Sequence, residues 1–252
     1  MKINVNGLST YYEVQGKGRP VVLLHGWAAD SGSLRAISTL LKNASKSKVY
    51  AIDLPGFGYS DTPPEDWDVV AYADFLGAFL QCMDLEKVSL LGHSFGGRIA
   101  IKFTAQHPGR VERLVLVDSA GIKPKRKAAY YYRVGLAKIL KFAHKIFPAL
   151  QNSKLNPNLG SADYQKAGAL RGTMVKVVNE DLRPFLPLIQ QPTLLIWGKN
   201  DQETPLADAF VMKELIPNSS LEIIQNAGHF CFLDNFAAFQ TILLGFLGDN
   251  RP

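Results

Sequence analysis

The chain has 252 residues, of which 47% are hydrophobic and 20% are charged, and its formal net charge is +6 at pH 7. This composition is ordinary for a globular protein and excludes a disordered or fibrous chain. No apolar run approaches the roughly 18–20 residues of a membrane span, and the first residues lack the apolar stretch of a secretory signal, so we expect a cytoplasmic protein.

Predicted strands recur along most of the chain. Residues 2–7 alternate polar and apolar side chains up to an Asn-Gly pair, which predicts a hairpin into a strand at 9–14. Five mainly apolar runs and a weaker sixth follow, of the kind found in strands that are buried on both faces of a parallel sheet. These runs are 21–24, 49–54, 88–91, 114–117, 193–197 and 221–224.

Segments with helical periodicity, near 3.6 residues, separate the predicted strands. An alternation of strand and helix is typical of a doubly wound α/β sheet, in which the loops after the parallel strands meet at one edge. Ligands bind at that edge in such folds. The predicted helices are 33–41, 69–83, 95–107, 206–215 and 230–247.

The alternation is interrupted once, in the second half of the chain. Residues 122–188 contain no strand-like apolar run, and helical periodicity covers 128–147 and 162–179. We interpret 122–188 as a helical cap that is inserted into a core formed by 1–121 and 189–252.

The predicted cap also carries the basic charge of the chain. Eight Lys and Arg residues, with no Asp or Glu, lie between residues 122 and 151, so the rest of the chain has a net charge of −2. Because no basic footprint extends over the whole chain, we expect no nucleic-acid partner. The basic stretch either attracts an acidic carrier protein, a coenzyme A thioester or an anionic membrane surface, or it is a solvated helix face.

A glycine-rich motif, Gly92-His93-Ser94-Phe95-Gly96-Gly97, stands between a predicted strand and a predicted helix. Gly-x-Ser-x-Gly in this context is typical of a nucleophile held on a sharp turn. Such a turn needs an uncommon backbone conformation, and the glycines remove side chains that would collide with its neighbours. Ser94 is therefore the candidate nucleophile, and the backbone N–H of Phe95 is left free at the helix start.

Two later strand ends carry the residues that a serine nucleophile needs. Asp201 follows the run 193–197, and His229 lies in a Gly-led loop after the last predicted strand. His229 can take the proton of the serine, and a carboxylate can fix the tautomer of His229. Asp118, at the end of an earlier strand, is the rival acid, and we favour Asp201 because it has the Gly-x-x-Asp setting.

Five motifs in one order make the chain resemble the α/β-hydrolase superfamily, and in particular its esterase-like and lipase-like members with a helical cap. The resemblance implies a mostly parallel central sheet flanked by helices and a catalytic triad of Ser94, Asp201 and His229. It also implies an oxyanion hole made by the backbone N–H groups of Trp27 and Phe95. The five motifs are His25-Gly26-Trp27, residues 53–60, the turn around Ser94, residues 198–201 and Gly228-His229.

The expected function is hydrolysis of carboxylic esters with small to medium acyl chains. Its partner is a small-molecule ester, and neither a cofactor nor a metal is implied. Three alternatives stay open: a carbon–carbon bond hydrolase of ring-fission diketones, a lyase of the menaquinone pathway, and a weakly catalytic small-molecule receptor. The lyase is considered because Arg98 completes a Ser-x-Gly-Gly-Arg elbow, and a fold shared by so many chemistries does not rank these activities.

Other polar residues near these motifs are interpreted as structural. We expect His25 to brace the loop of Trp27, His93 to point away from the nucleophile, and Asp53 to shape the floor of the site. Cys231 is expected to be a buried apolar thiol, and with Cys82 as the only other cysteine we expect free thiols.

Overall fold

The computed structural model of the protein describes residues 1–123 and 167–248. Within them, one central sheet has eight strands. The strands are β1 (Lys2–Val5), β2 (Leu8–Gly16), β3 (Arg19–Leu24), β4 (Ser47–Ile52), β5 (Val88–His93), β6 (Val111–Val117), β7 (Thr193–Gly198) and β8 (Ser219–Ile224).

The strands lie in the order β1-β2-β4-β3-β5-β6-β7-β8. β2 pairs antiparallel with both β1 and β4, and all other neighbouring pairs are parallel. The predicted mostly parallel α/β sheet is therefore confirmed. The strand predicted at 49–54 ends at Ile52. The Asp53 carboxylate that follows it accepts hydrogen bonds from the N–H groups of Ser31 and Tyr59.

The described helices confirm three of the predictions, at 69–83, 95–107 and 206–215, to within one residue at each end. The helix predicted at 33–41 begins with a 3₁₀ turn, Ser31–Leu34, before it becomes α-helical. Within residues 1–123 and 167–248, no helix combines the length and apolar character that crossing a membrane requires. The α-helices are α1 (Arg35–Ala44), α2 (Val69–Cys82), α3 (Phe95–Gln106), α4 (Arg171–Asn179), α5 (Leu206–Leu215), α6 (Cys231–Asp234) and α7 (Phe236–Leu247).

Alternate side chains of the parallel strands pack into two separate cores, one on each face of the sheet. In β3, Val22 and Leu24 belong to the core that includes residues of α2 and α3, whereas Val21 and Leu23 belong to the core that includes residues of α1 and α7. Because helices cover both faces, every side chain of β5 is buried. This explains why the sequence shows continuous apolar runs instead of an alternating pattern.

The single helix predicted at 230–247 is wrong, because the structure has two helices, α6 and α7, in that range. The chain leaves the helical conformation at Asn235, where φ is −142° and ψ is 72°. The Asn235 side chain accepts a hydrogen bond of 3.2 Å from the backbone N–H of Ala238 and so caps α7. Asn is a preferred N-cap residue. The helical periodicity of the apolar residues continues on both sides of Asn235, so the pattern predicts one helix where there are two.

The predicted cap is described only in part. The helix predicted at 128–147 lies outside the described residues, as do Tyr130, Tyr131 and Tyr132 and all of the basic stretch except Lys123. Of the helix predicted at 162–179, the described part is a 3₁₀ turn, Gly168–Leu170, followed by α4. The bounds of the cap and the role of its basic stretch stay predictions.

The end of this segment is fixed to the helix that follows the candidate nucleophile. The Arg98 guanidinium donates a 2.9 Å hydrogen bond to the carbonyl oxygen of Glu180, and Lys102 Nζ lies 2.8 Å from Glu180 Oε1. Lys102 Nζ also lies 3.7 Å from the ring centroid of Phe185. Both cationic side chains are buried, so these contacts compensate the loss of their hydration.

Candidate active site

Ser94 lies at the turn between β5 and α3, at the edge of the sheet where the parallel strands end. Its φ is 51° and its ψ is −112°, which is a rare conformation for a residue with a side chain. The backbone N–H of Ser94 donates a 3.1 Å hydrogen bond to the carbonyl oxygen of Val117 at the end of β6. The turn is therefore held by the neighbouring strand, which stabilises a backbone conformation that is unfavourable by itself.

The glycines of this turn are required by close approaches of backbone and side chains. A methyl group on Gly92 would lie 2.5 Å from the carbonyl oxygen of Gly96, and one on Gly96 would lie 2.1 Å from that of Leu24. A methyl group on Gly97 would lie 2.0 Å from Ser119 Oγ. Each separation is far inside van der Waals contact, so any larger residue would displace the turn that presents Ser94.

Three side chains from three strand ends meet at this turn. His229 Nε2 lies 3.0 Å from Ser94 Oγ, and His229 Nδ1 lies 2.9 Å from Asp201 Oδ2. Asp201 follows β7 and His229 follows β8. The His229 side chain is only 8% exposed, and that of Asp201 is fully buried. The structure therefore brings all three predicted triad residues together, in the order nucleophile, base and acid.

Asp201 is held as a carboxylate by donors from its own loop. The backbone N–H groups of Glu203 and Thr204 donate to Asp201 Oδ1 at 2.8 and 3.0 Å, and the Thr204 hydroxyl donates to Oδ2 at 2.7 Å. Burial raises the pKa of Asp201, but the hydrogen bonds from His229 and Thr204 outweigh it and hold the pKa below its usual value. The carboxylate therefore stays charged at neutral pH and orients the His229 ring.

The environment of His229 favours its protonated form during a proton transfer. Burial lowers the pKa of His229, but the hydrogen bond and the charge of Asp201, with a further contribution from the charge of Glu203, raise it above its ordinary value. A histidine with these neighbours can take a proton from Ser94 and stabilise the resulting imidazolium.

Two other histidines hold the loops around the site. His93 Nε2 donates a 2.8 Å hydrogen bond to the carbonyl oxygen of His229, and the two rings are 4.9 Å apart. Burial lowers the pKa of His93 to about 3, so its ring is neutral. His25 Nδ1 donates to the carbonyl oxygen of Gly26 at 2.7 Å, and His25 Nε2 accepts from the N–H of Leu54 at 3.0 Å. This geometry agrees with the predicted role of His25, which is to brace the loop of Trp27. The hydrogen bond from His93 to the loop of His229 could not be predicted from a local sequence pattern.

The backbone N–H groups predicted as the oxyanion hole belong to Trp27, in the loop after Gly26, and to Phe95, which follows Ser94 in the chain. A methyl group on Gly26 would lie 3.4 Å from Ser94 Cβ, so the loop that carries Trp27 passes directly beside the nucleophile. The turn in this loop is closed by the N–H of Ala29, which donates to the carbonyl oxygen of Gly26 at 3.3 Å, and not by the N–H of Trp27. Phe95 is the first residue of α3, where a backbone N–H has no helical acceptor. Their role as oxyanion donors stays a prediction.

The rival acid, Asp118, has a different set of contacts. Its side chain is fully buried, and its carboxylate accepts hydrogen bonds from the N–H of Gly198 at 2.7 Å and of Cys231 at 3.2 Å. The carboxylate that is hydrogen-bonded to His229 is that of Asp201. Asp118 therefore links the loops that carry the acid and the histidine, and this geometry favours Asp201 as the acid of the triad.

Asp118 is expected to make stability depend on pH. Burial raises the pKa of Asp118 to about 7, although hydrogen bonds from Cys231 and Gly198 oppose the shift. In the unfolded chain the Asp118 carboxyl group ionises near pH 4. The stabilisation that Asp118 gives in its protonated form is therefore complete below about pH 4 and is lost as pH rises toward 7. The free energy of unfolding of wild type relative to Asp118→Asn should therefore fall across this window, by an amount on the order of 2–4 kcal/mol.

Urea unfolding of both proteins at a series of pH values measures this difference. Curves of stability against pH that run parallel for wild type and Asp118→Asn would show that the carboxyl group of Asp118 does not titrate differently in the folded protein.

Two other residues predicted as structural, Asp53 and Cys231, are buried. Asp53 is fully buried and bonded to two loops, and Cys231 is a buried free thiol whose pKa is raised by burial. Arg98, which motivated the lyase alternative, points to the main chain of Glu180.

Among the described residues, no three His, Cys, Asp or Glu side chains are close enough together to hold a metal ion.

Comparison with known proteins identifies relatives of this chain. It matches the alpha/beta hydrolase fold family over residues 19–162 and 172–236. It is 29% identical to the 2-hydroxy-6-oxo-6-(2'-aminophenyl)hexa-2,4-dienoic acid hydrolase of Metapseudomonas resinovorans, over 97% of this chain and 89% of that one. It is 27% identical to the pimeloyl-[acyl-carrier protein] methyl ester esterase of Legionella pneumophila, over 95% of this chain and 100% of that one.

A solved structure shows the same architecture. The esterase from Exiguobacterium antarcticum is 29% identical to this chain and superimposes with a TM-score of 0.76, covering 96% of this chain and 97% of the esterase. The relatives therefore include both esterases and a hydrolase of a dienoic acid.

Proposed function

The chain belongs to the alpha/beta hydrolase family, and we propose that it hydrolyses carboxylic esters with small to medium acyl chains through an acyl-enzyme on Ser94. The observation that carries this proposal is the pair of contacts made by His229, at 3.0 Å to Ser94 Oγ and at 2.9 Å to Asp201 Oδ2. Both distances are within the range of a hydrogen bond, so proton transfer from the serine requires no rearrangement of the three side chains.

In the first step, Ser94 Oγ attacks the carbonyl carbon of the ester while its proton moves to His229 Nε2. Asp201 holds Nδ1 of the ring as the donor, which keeps Nε2 available as the proton acceptor. The negative oxygen that develops is stabilised by the backbone N–H groups of Trp27 and Phe95, and one such donor typically contributes about 10²–10³ in rate.

The tetrahedral intermediate collapses when His229 Nε2 gives its proton to the oxygen of the leaving alcohol. The bond between the carbonyl carbon and that oxygen breaks, and the acyl group stays on Ser94 Oγ. In the second step a water molecule gives a proton to His229 Nε2 and attacks the acyl carbon. His229 then returns that proton to Ser94 Oγ as the bond between the acyl carbon and Oγ breaks, which releases the carboxylic acid and restores the Ser94 hydroxyl.

A second candidate function is hydrolysis of a carbon–carbon bond in a ring-fission diketone. It is retained because the relative from Metapseudomonas resinovorans, 29% identical over 97% of this chain, is named for a dienoic acid substrate. The esterase reading is favoured by the methyl ester esterase and by the esterase structure among the relatives. The lyase alternative loses support, since the Arg98 guanidinium bonds to the main chain of Glu180.

Hydrolysis of p-nitrophenyl esters from acetate to decanoate tests the proposal. We expect turnover with an optimum at a small to medium acyl chain. A vinylogous diketone of the ring-fission type, assayed beside the esters, separates the two candidates. Strong turnover of the diketone with negligible turnover of every ester would contradict ester hydrolysis and favour the second candidate.

A further inference from the structure

A carboxylate outside the triad lies beside the catalytic nitrogen. Glu203 Oε2 is 3.4 Å from His229 Nε2, the same atom that is 3.0 Å from Ser94 Oγ. The Glu203 side chain is 64% exposed, so it faces the solvent side of the site. Its backbone is fixed, because the N–H of Glu203 donates to Asp201 Oδ1 at 2.8 Å. The carboxylate is therefore held at the mouth of the site by the same loop that carries the acid.

In the proposed reaction, the leaving alcohol has to lie close to the carboxylate of Glu203. His229 Nε2 must protonate the oxygen of the leaving alcohol, so that oxygen has to lie about 2.6–3.2 Å from Nε2. Glu203 Oε2 is already 3.4 Å from the same nitrogen. A charge on the alcohol part of the ester, within a few bonds of its oxygen, is consequently brought close to the carboxylate of Glu203.

The local charge around this position is negative. The charged carboxylates that act on His229 are those of Asp201 and Glu203, with Asp118 nearby. Asp201 is already bonded to His229 and Thr204. In the ion pairs of residues 1–123 and 167–248, Glu203 has no Lys or Arg partner. Its charge is thus available to a substrate.

We propose that Glu203 determines specificity by the charge of the leaving alcohol, favouring esters of cationic alcohols over neutral ones and disfavouring esters whose alcohol carries a carboxylate. The inference rests on the proposed ester hydrolysis and names the substrate class that this site prefers. It also predicts that an anionic ring-fission diketone is a poor substrate when its carboxylate enters beside His229.

The expected effect is moderate because Glu203 is exposed to water. A single charge at about 5–7 Å, in an environment of high effective dielectric constant, changes kcat/KM by roughly three- to tenfold. Salt should weaken the effect, since exposed charges are screened. A role of Glu203 in folding alone would produce neither a dependence on substrate charge nor one on ionic strength.

Three butyrate esters that differ in the charge of the alcohol test the proposal. They are the esters of choline, of 3,3-dimethylbutanol, which is a neutral isostere of choline, and of 3-hydroxypropionate. In wild type we expect kcat/KM to fall in that order. Glu203→Gln should reduce the ratio of the choline ester to its neutral isostere by roughly three- to tenfold. Added salt should reduce the same ratio in wild type but not in Glu203→Gln.

Glu214→Gln is the matched control, because it removes one negative charge from an exposed position on α5 and should leave the ratio as in wild type. An unchanged ratio in Glu203→Gln would overturn the role of Glu203 while leaving ester hydrolysis intact. If wild type hydrolyses none of the three esters, the proposed function itself fails, and the inference about Glu203 fails with it.

Discussion

Ser94→Ala is expected to lower kcat/KM for p-nitrophenyl esters by roughly 10³-fold or more. The substitution removes the oxygen that lies 3.0 Å from His229 Nε2 and that forms the acyl bond in the proposed mechanism. We expect the residual rate to come from binding and from the proposed backbone donors at Trp27 and Phe95, which do not need the hydroxyl group. Steady-state hydrolysis by purified wild type and variant measures the change.

The fold should survive this substitution, so the loss of activity can be assigned to chemistry. Alanine keeps a Cβ at the strained backbone position, and the N–H bond of Ser94 to Val117 is unaffected. Ser89→Ala is a matched control, because Ser89 lies at the other end of β5 and its removal should leave turnover close to wild type. Ester hydrolysis that persists in a folded Ser94→Ala protein would disprove Ser94 as the nucleophile.

Asp201→Asn is expected to lower kcat by roughly 10²–10⁴-fold. The amide can still accept the hydrogen bonds of Glu203 and Thr204 through its oxygen, so the loop keeps its shape. Its NH₂ group then faces His229 Nδ1 and donates to it, which places the ring proton on Nε2. In that tautomer His229 cannot accept the proton of Ser94.

The pH dependence of the activity of Asp201→Asn provides a second test of the role of Asp201. The hydrogen bond and charge of Asp201 raise the pKa of His229, and activity requires the unprotonated ring. Without the carboxylate the pKa of His229 falls, so the acidic limb of the remaining activity should move to lower pH. If Asp118→Asn abolishes turnover while Asp201→Asn retains it, Asp118 and not Asp201 is the acid of the triad.

Much of the fold could be predicted because its signals are local. A strand covered on both faces favours apolar residues at successive positions. The runs within β3 and β6 are apolar throughout, and those within β5 and β7 depart from this only at Ser89 and Thr193. The motifs also placed Ser94, Asp201 and His229 at the ends of strands. Since parallel strands end at one edge of a sheet, their proximity could be expected before the distances were known.

The remaining features depend on contacts between residues that are distant in sequence. The bond from His93 to the main chain of His229 joins residues 136 positions apart, and no local pattern indicates it. The position of Glu203 beside His229 is likewise a product of the way two loops pack. The break at Asn235 is different, because its capping signal is local and was overridden by the apolar periodicity on either side.

The proposed reaction passes through an ester of Ser94. Rapid quenching of wild type during turnover of a p-nitrophenyl ester, followed by proteolysis and mass spectrometry, tests it most directly. We expect an acyl group on the peptide that contains Ser94, formed at the rate at which the first equivalent of p-nitrophenol is released. Turnover without any acylated peptide, or with the acyl group on another residue, would contradict it.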